Sequence, residues 1–224
     1  WDYFEKVGRL IMDRKTIAID LSEGIEATWM NEIHTKNRNV IKKGEKNGLE
    51  FIVDEDFAYL PEFEDLYNST MDKLEADGFY YFAPQYYDQL KNSIQNKFLG
   101  IVKHEGKVVA GAIFFYQFPY GHYHLAGSDK SALKLSPNNF LLWEAAKELT
   151  RRGVKQFHLG GGTDGSEDNS LYQYKRKFSK HEYQFALGKM IFNPSLYEDI
   201  CAEWAAANPE KAAKMKNILL KYKY

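Results

Sequence analysis

Cysteine is almost missing from this chain: its 224 residues contain one, Cys201. A single thiol excludes a disulfide framework and a cysteine-built zinc ribbon, and it suits a reducing compartment. Net charge is missing as well, since 30 Lys and Arg stand against 31 Asp and Glu, leaving -1. This excludes a globally basic nucleic-acid coat, so any polyanion must meet a local patch. Proline is scarce at 6 residues, and with 16% aromatics the composition excludes a disordered chain. Long hydrophobic runs are absent too. The longest, Val108–Phe118, is interrupted by Gly111 and Gln117 and reads as a buried strand, not the roughly 18 apolar residues of a membrane span. No stretch has the layout of a secretory signal, and a cytoplasmic location is expected. The length fits one domain, or one domain plus part of another. The chain starts at Trp1 without a Met and reads as a fragment.

What is present is a clear alternation of helical and extended patterns. Residues 15–21, KTIAIDL, read as a strand. Ser22 then caps a helix carrying Ile25, Trp29 and Ile33 on one face, which continues through the basic stretch and stops near Gly48. A strand over 49–53 is followed by helices opened by Pro61 and Pro84. Strands over 98–104 and 107–117 are joined by Glu105-Gly106, and a third covers 122–125. Ser136-Pro137 starts a helix that ends at Gly153; a strand over 154–159 runs into Gly160, Gly161 and Gly162. A short helix over 169–178, a strand over 182–192 and two terminal helices opened by Asn193-Pro194 and Asn208-Pro209 complete the order. Hairpins mixed with crossover helices predict an α/β (α+β) fold, a mixed central sheet flanked by helices.

Five groups of residues could carry chemistry. Lys36, Arg38, Lys42, Lys43 and Lys46 face only Glu45 within their stretch and could hold phosphates; a solvated helix face is the alternative. Lys175 shares a helical face with Leu171, Tyr174 and Phe178. An ammonium on an apolar stripe is costly unless it faces a cleft or its stem merely packs while the head reaches water. The glycines 160–162 between strand and helix allow close approach of a ligand, although neither a P-loop nor a GxGxxG fingerprint is present. His122 and His124 point to one side of a strand, and His158 lies on another. They suit packing or substrate contact better than zinc, because no HExxH and no well-spaced acidic ligand accompanies them. Tyrosines such as Tyr86, Tyr123, Tyr172 and Tyr174 can pack and still present a hydroxyl. Cys201, on a stripe with Tyr197, Ile200 and Trp204, reads as a core residue.

Taken in order, GRLIMDRKTIAIDL, WMNEIHTKNRNVIKKG, FEDLYNSTM, KVVAGAIFFY, HYHLAGSD, SPNNFLLWEAAKELTRRGVKQFHLGGG, LYQYKRKFS and the KYKY ending resemble the Fem peptidoglycan-bridge aminoacyltransferases, a branch of the GNAT acyltransferase superfamily. The resemblance implies a GNAT-like fold over 22–203, the last strand of a largely missing preceding domain over 1–21, and a C-terminal helix over 204–224. It implies transfer of an aminoacyl group from charged tRNA to the amine of a peptidoglycan precursor, with no cofactor and no metal. A monomer is expected, touching membranes at most peripherally through a lipid-linked substrate.

By position the family's lysine corresponds to Lys175, its neighbouring aromatic to Tyr174, and its cleft tyrosine to Tyr123. The catalytic set implied is Lys175, Tyr123 and His124, with either of the last two relaying the amine proton. Substrate contacts are expected from Lys36, Arg38, Lys42, Lys43, Tyr86, His158, Gly160, Gly161, Gly162, Tyr174 and Lys177. The acyl carbonyl would lie where strands 122–126 and 154–159 diverge. Two departures stand out. Phe82 replaces an arginine of the bridge-forming enzymes, and Ser128–Asn139 holds no glycine, so the GNAT pyrophosphate signature is absent. The second counts against coenzyme A. Acyl-CoA-dependent N-acetyl transfer, a non-catalytic tRNA- or glycan-binding module and a zinc hydrolase are the competing readings.

Overall fold

A computed structural model describes residues 2–215 and 218–223; Trp1 and the last tyrosine of the KYKY ending lie outside the described residues. In chain order the elements are α1 (Asp2–Val7), β1 (Arg9–Asp20), α2 (Ile25–Asn31), α3 (Thr35–Lys46), β2 (Glu50–Asp54), α4 (Leu60–Lys73), α5 (Pro84–Ser93) and β3 (Lys97–His104). Then follow β4 (Lys107–Gln117), β5 (Tyr120–Ser128), α6 (Pro137–Arg151), β6 (Gln156–Gly161), α7 (Ser170–Lys175), β7 (Glu182–Lys189), α8 (Pro194–Ala207) and α9 (Pro209–Lys214). The chain forms two units, a larger one over Lys15–Tyr183 and a smaller one made of the flanking segments.

The strands follow the order β2-β3-β4-β5-β6-β1-β7. Neighbours from β2 to β5 are antiparallel, as are β6 and β1, while β5 and β6 are parallel. Period-2 alternation divides the side chains between two faces. Phe98 and Val102 of β3 and Phe157 and Leu159 of β6 join Ile41 of α3 and Leu141, Leu142 and Ala145 of α6 in one core. Leu99 and Ile101 of β3 and Ile113 of β4 pack on the other side against Phe63 and Tyr67 of α4 and Tyr87 of α5. Burying each such side chain contributes about 1.5–3 kcal/mol.

The sheet also corrects the sequence reading at several points. Residues 15–20 belong with the larger unit, where β1 pairs with β6 from Thr16↔Gly161 to Asp20↔Gln156. The helix expected from Ser22 to Gly48 is two helices. His34 is extended and its Nδ1 accepts from Lys36 N, so it caps α3. Ser22 caps nothing, because α2 starts after Gly24. Ser136 is left-handed (φ 57°) with no capping hydrogen bond; Pro137, which needs no N–H partner, starts α6 by itself. β7 stops at Lys189, three residues short of the expected end.

The smaller unit holds α1, the first half of β1, most of β7, α8 and α9. Asn193 caps α8 by accepting from Leu196 N, and the Tyr197 hydroxyl donates to Leu219 O. No α8 residue is fully buried, so Cys201 is half-covered, not a core residue. The stretch after 204 is the end of α8, then α9 and a short turn of 3-10 helix, instead of one helix. Among the described residues no helix is long and apolar enough to cross a membrane.

Candidate active site

β5 and β6 are paired for only three residues, Tyr120↔Gln156, Gly121↔Phe157 and His122↔His158. Beyond His122 the ladder stops, although β5 runs on to Ser128 and β6 to Gly161. Backbone groups on the facing edges are thus left for another partner. The divergence has a local cause on the β4 side. There Ala112 pairs with Ala126 and Phe114 with Tyr123, so His124 and Leu125 together oppose Ile113. A bulge of this kind bends its strand and increases its twist.

Lys175, at the end of α7, places its ammonium at this opening. It is 7% exposed, its Nζ donates to Gly161 O at 2.7 Å and lies 5.9 Å from the Tyr123 ring centre. Among the described residues no carboxylate pairs with it, and burial pushes it down to about 8. The expected stripe is altered: Leu171 is 38% exposed, and Tyr172 packs inward instead. Asn169 caps α7 by accepting from Leu171 N and Tyr172 N, and it also donates to the Thr163 hydroxyl. That fit requires Gly162, since a Cβ there would collide with the Asn169 side chain.

The glycines serve the protein's own lysine. Gly160 and Gly161 are the end of β6, not a loop, and Gly160 sits at φ +79° where β6 bulges against β1. A Cβ at Gly160 would lie 3.3 Å from Lys175 Nζ.

Tyr123 and His124 lie on opposite faces of the sheet, which corrects the idea that either could relay the same proton. Tyr123 stacks near Phe114 in the α6-side core, and burial raises its phenol well above the ordinary range. At neutral pH it is therefore the phenol. Tyr174 is held up the same way, by burial and then by Tyr123. His124 faces the α5 side, where its Nε2 shares a 2.5 Å hydrogen bond with the Tyr86 hydroxyl. Phe82 stacks on Tyr86 with centroids 4.2 Å apart.

His122, not expected in the site, stacks on His158 with facing Nδ1 atoms 3.2 Å apart. Burial, then His158, His124 and Lys175, push His122 down to about 4; burial and then Lys175 lower His158, and burial lowers His124. All three imidazoles are therefore neutral at pH 7. Among the described residues no three His, Cys, Asp or Glu side chains converge as a metal would need.

A basic cavity of about 940 Å³ lies beside α7, lined by Lys36, Arg38, Tyr174, Arg176, Lys177 and Lys180 among others. Tyr174 and Arg176 flank Lys175 in the chain. The expected basic helix meets Arg176, Lys177 and Lys180 here, but only in part. Lys42 and Lys43 do not line the cavity, and Lys42 sits over the Trp29 ring instead. Arg38 lines it, yet its guanidinium donates to the carbonyls of Trp29, Met30 and Ile33, closing the end of α2. Two residues the sequence reading passed over hold the walls together. Asn37 is buried, donates to Lys177 O at 3.2 Å and accepts from Asn139 Nδ2 at 2.7 Å. Asn37→Ala is expected to cost about 1–3 kcal/mol, because those partners lose their bonds in a dry place. Urea denaturation measures it; a loss near zero would show that water replaces the amide.

A mixed sheet whose two central parallel strands part beside a buried ammonium, with a basic cavity next to the same short helix, is the frame of the candidate site. The chain belongs to the acetyltransferase (GNAT) domain family, whose model matches residues 33–176. Among solved structures it is similar to FemX (14% identity, TM-score 0.69, covering 85% of this chain and 64% of that one). It is also similar to L-PGS of Bacillus licheniformis (16%, TM-score 0.61, 87% and 65%). A third is a C-terminal domain assigned to lysylphosphatidylglycerol synthetase of Agrobacterium fabrum (17%, TM-score 0.60, 81% and 62%). The chain thus spans less than two thirds of each of these proteins. A comparison with curated proteins finds no match.

Proposed function

We propose that this domain transfers an aminoacyl group from charged tRNA to an amine acceptor, as in formation of peptidoglycan interpeptide bridges. The observation that carries the reading is the buried ammonium of Lys175, which has no carboxylate partner among the described residues, at the point where β5 leaves β6. The acyl ester of the donor lies with its carbonyl in that opening. The acceptor amine attacks the carbonyl carbon, the C–N bond forms, and the ester C–O bond breaks. Lys175 offsets the charge that develops on oxygen and, with a lowered pKa, can protonate the leaving ribose hydroxyl. The amine proton passes to a neutral imidazole on the α5 side. Tyr123, fixed as the phenol, donates a hydrogen bond and takes no proton.

Lys36, Lys177 and Lys180 suit the donor's phosphates, and tRNA binding is expected to weaken as salt rises. Replacing Lys36 and Lys177 together by glutamine is expected to lower the log–log salt slope by about 1–2. Filter binding at several salt concentrations checks this, and an unchanged slope would move the donor elsewhere.

A second reading, N-acyl transfer from acyl-CoA, draws on the GNAT family match. It finds less support at α6. Pro137 removes one N–H from that helix start, the preceding turn has no glycine, and the Asn138 carboxamide oxygen is buried there without a partner. Incubating the protein with radiolabelled aminoacyl-tRNA and a peptidoglycan precursor, and separately with labelled acetyl-CoA, distinguishes the two. Transfer only from acetyl-CoA would replace the tRNA reading. Binding without turnover from either donor would favour a recognition module.

A further inference from the structure

A second groove, of about 780 Å³, opens at the paired start of β5 and β6. That volume is within the roughly 300–1,000 Å³ of ordinary ligand sites. It shares no lining residue with the basic cavity, and none of its lining residues is Lys, Arg, Asp or Glu. Four carboxamides, Gln95, Asn96, Gln117 and Gln156, surround it with the rings of Tyr116 and Tyr120. The imidazoles of His122 and His158 form part of its wall, neutral as described above.

The polar groups are held in place. Asn96 Nδ2 donates to Gln117 Oε1 at 2.8 Å, which leaves the Asn96 oxygen as an acceptor and the Gln117 amide as a donor. Gln156 Nε2 donates to the Tyr183 hydroxyl at 2.6 Å, leaving its own oxygen free to accept. Tyr120 is 60% exposed, offering a flat apolar face.

This lining selects its ligand by elimination. A carboxylate or phosphate would find no cation, and an ammonium would find no anion. An acyl chain would cover the remaining acceptor oxygens of Asn96 and Gln156 and the remaining Gln117 amide without bonding them, at the cost that polar groups carry when buried without partners. An extended peptide would need a free strand edge, but β5 and β6 are paired with each other here. A ring compound with many hydroxyls, one apolar C–H face and no charge meets every group. We propose that this groove binds an uncharged saccharide, with a sugar ring stacked on Tyr120 and its hydroxyls bridging the carboxamides and the imidazole edges. The proposal stands apart from the acyl-transfer reading, because binding is measured with no donor present.

Calorimetric titration with an N-acetylglucosamine trimer tests it, beside a galacturonate trimer and a capped alanine tripeptide as charged and peptidic probes. The neutral trimer is expected to bind with an affinity that salt leaves unchanged. Tyr120→Ala and Gln95→Ala, both at exposed positions, are each expected to weaken it about tenfold with unaltered circular dichroism. Lys36→Gln should leave it as it was. The proposal is overturned if the neutral trimer does not bind, if the uronate or the peptide binds more tightly, or if both variants bind like the original.

Discussion

Lys175→Met is expected to cut transfer by about 100–1000-fold, the usual cost of losing one pre-aimed group that meets developing charge. The same substitution is expected to make the protein more stable. Methionine has a similar reach and volume without a charge to desolvate, and the lost partner is a single carbonyl, Gly161 O. The sign follows from the pKa. In the fold Lys175 titrates near 8, whereas its ordinary value is 10.5. Unfolding therefore takes up a proton between those two values. The penalty of burying the ammonium is fully present below about pH 8 and disappears as the pH rises toward 10.5. Below pH 8 the variant should gain roughly 1–3 kcal/mol after the lost hydrogen bond is counted. Its stability should also lose the rise with pH that Lys175 gives the parent protein. Turnover assays and urea melts across pH 7–10 read both effects. Unaltered turnover would take Lys175 out of the chemistry, and an unaltered pH profile would mean that the ammonium is hydrated. A residue that lowers stability where it is placed, with no anion to pair it among the described residues, fits a functional site better than a structural one.

Gly127→Ala is expected to cost about 3 kcal/mol, lowering the melting temperature by roughly 6–12 °C. A Cβ at this position would lie 2.6 Å from Leu66 O and closer still to Tyr67 N, both backbone atoms of α4. Side chains can swing away from such a contact, but a helix backbone cannot. Gly127 pairs with Gly111 across the β4–β5 ladder, and together they form the flat strip on which α4 rests. At Gly111 the nearest atoms to an added Cβ are side-chain carbons of Ile101 and Phe63, at 3.0 Å, so Gly111→Ala is expected to be milder. Thermal melts of the two variants give the comparison. Equal, small effects would show that α4 moves freely over the sheet. Gly127 follows the β5 bulge closely, so lifting the strand should also displace Tyr123 and His124 and reduce turnover.

Much of the fold is legible without coordinates. The hairpin of β3 and β4 ends within a residue of its sequence reading, because Glu105-Gly106 adopts the positive φ angles that its turn requires. Pro61, Pro84, Pro137, Pro194 and Pro209 each stand in the first turn of a helix. The break at His34 is less legible, since Ile25, Trp29 and Ile33 keep helical spacing right up to it. What ends α2 is the guanidinium of Arg38, nine residues beyond Trp29, and no hydropathy pattern displays a hydrogen bond of that kind.

The candidate site divides in the same way. That Lys175 would lie on an inward helical face, that His122 and His124 would share one side of a strand, and that Lys36 and Lys177 belong to basic stretches were all written in the order of residues. These are local properties, because each depends on the rotation per residue of one element. Tertiary structure alone decided that β5 leaves β6 after His122, that a bulge separates the faces of His124 and Ala126, and that Arg38 is engaged by carbonyls. It alone placed a charged cavity among α2, α3 and α7 and an uncharged one at the paired start of β5 and β6. The physical reason is that strand divergence, close backbone approach and side-chain pairing are relations between segments distant in the chain, and the sequence contains only their separate halves.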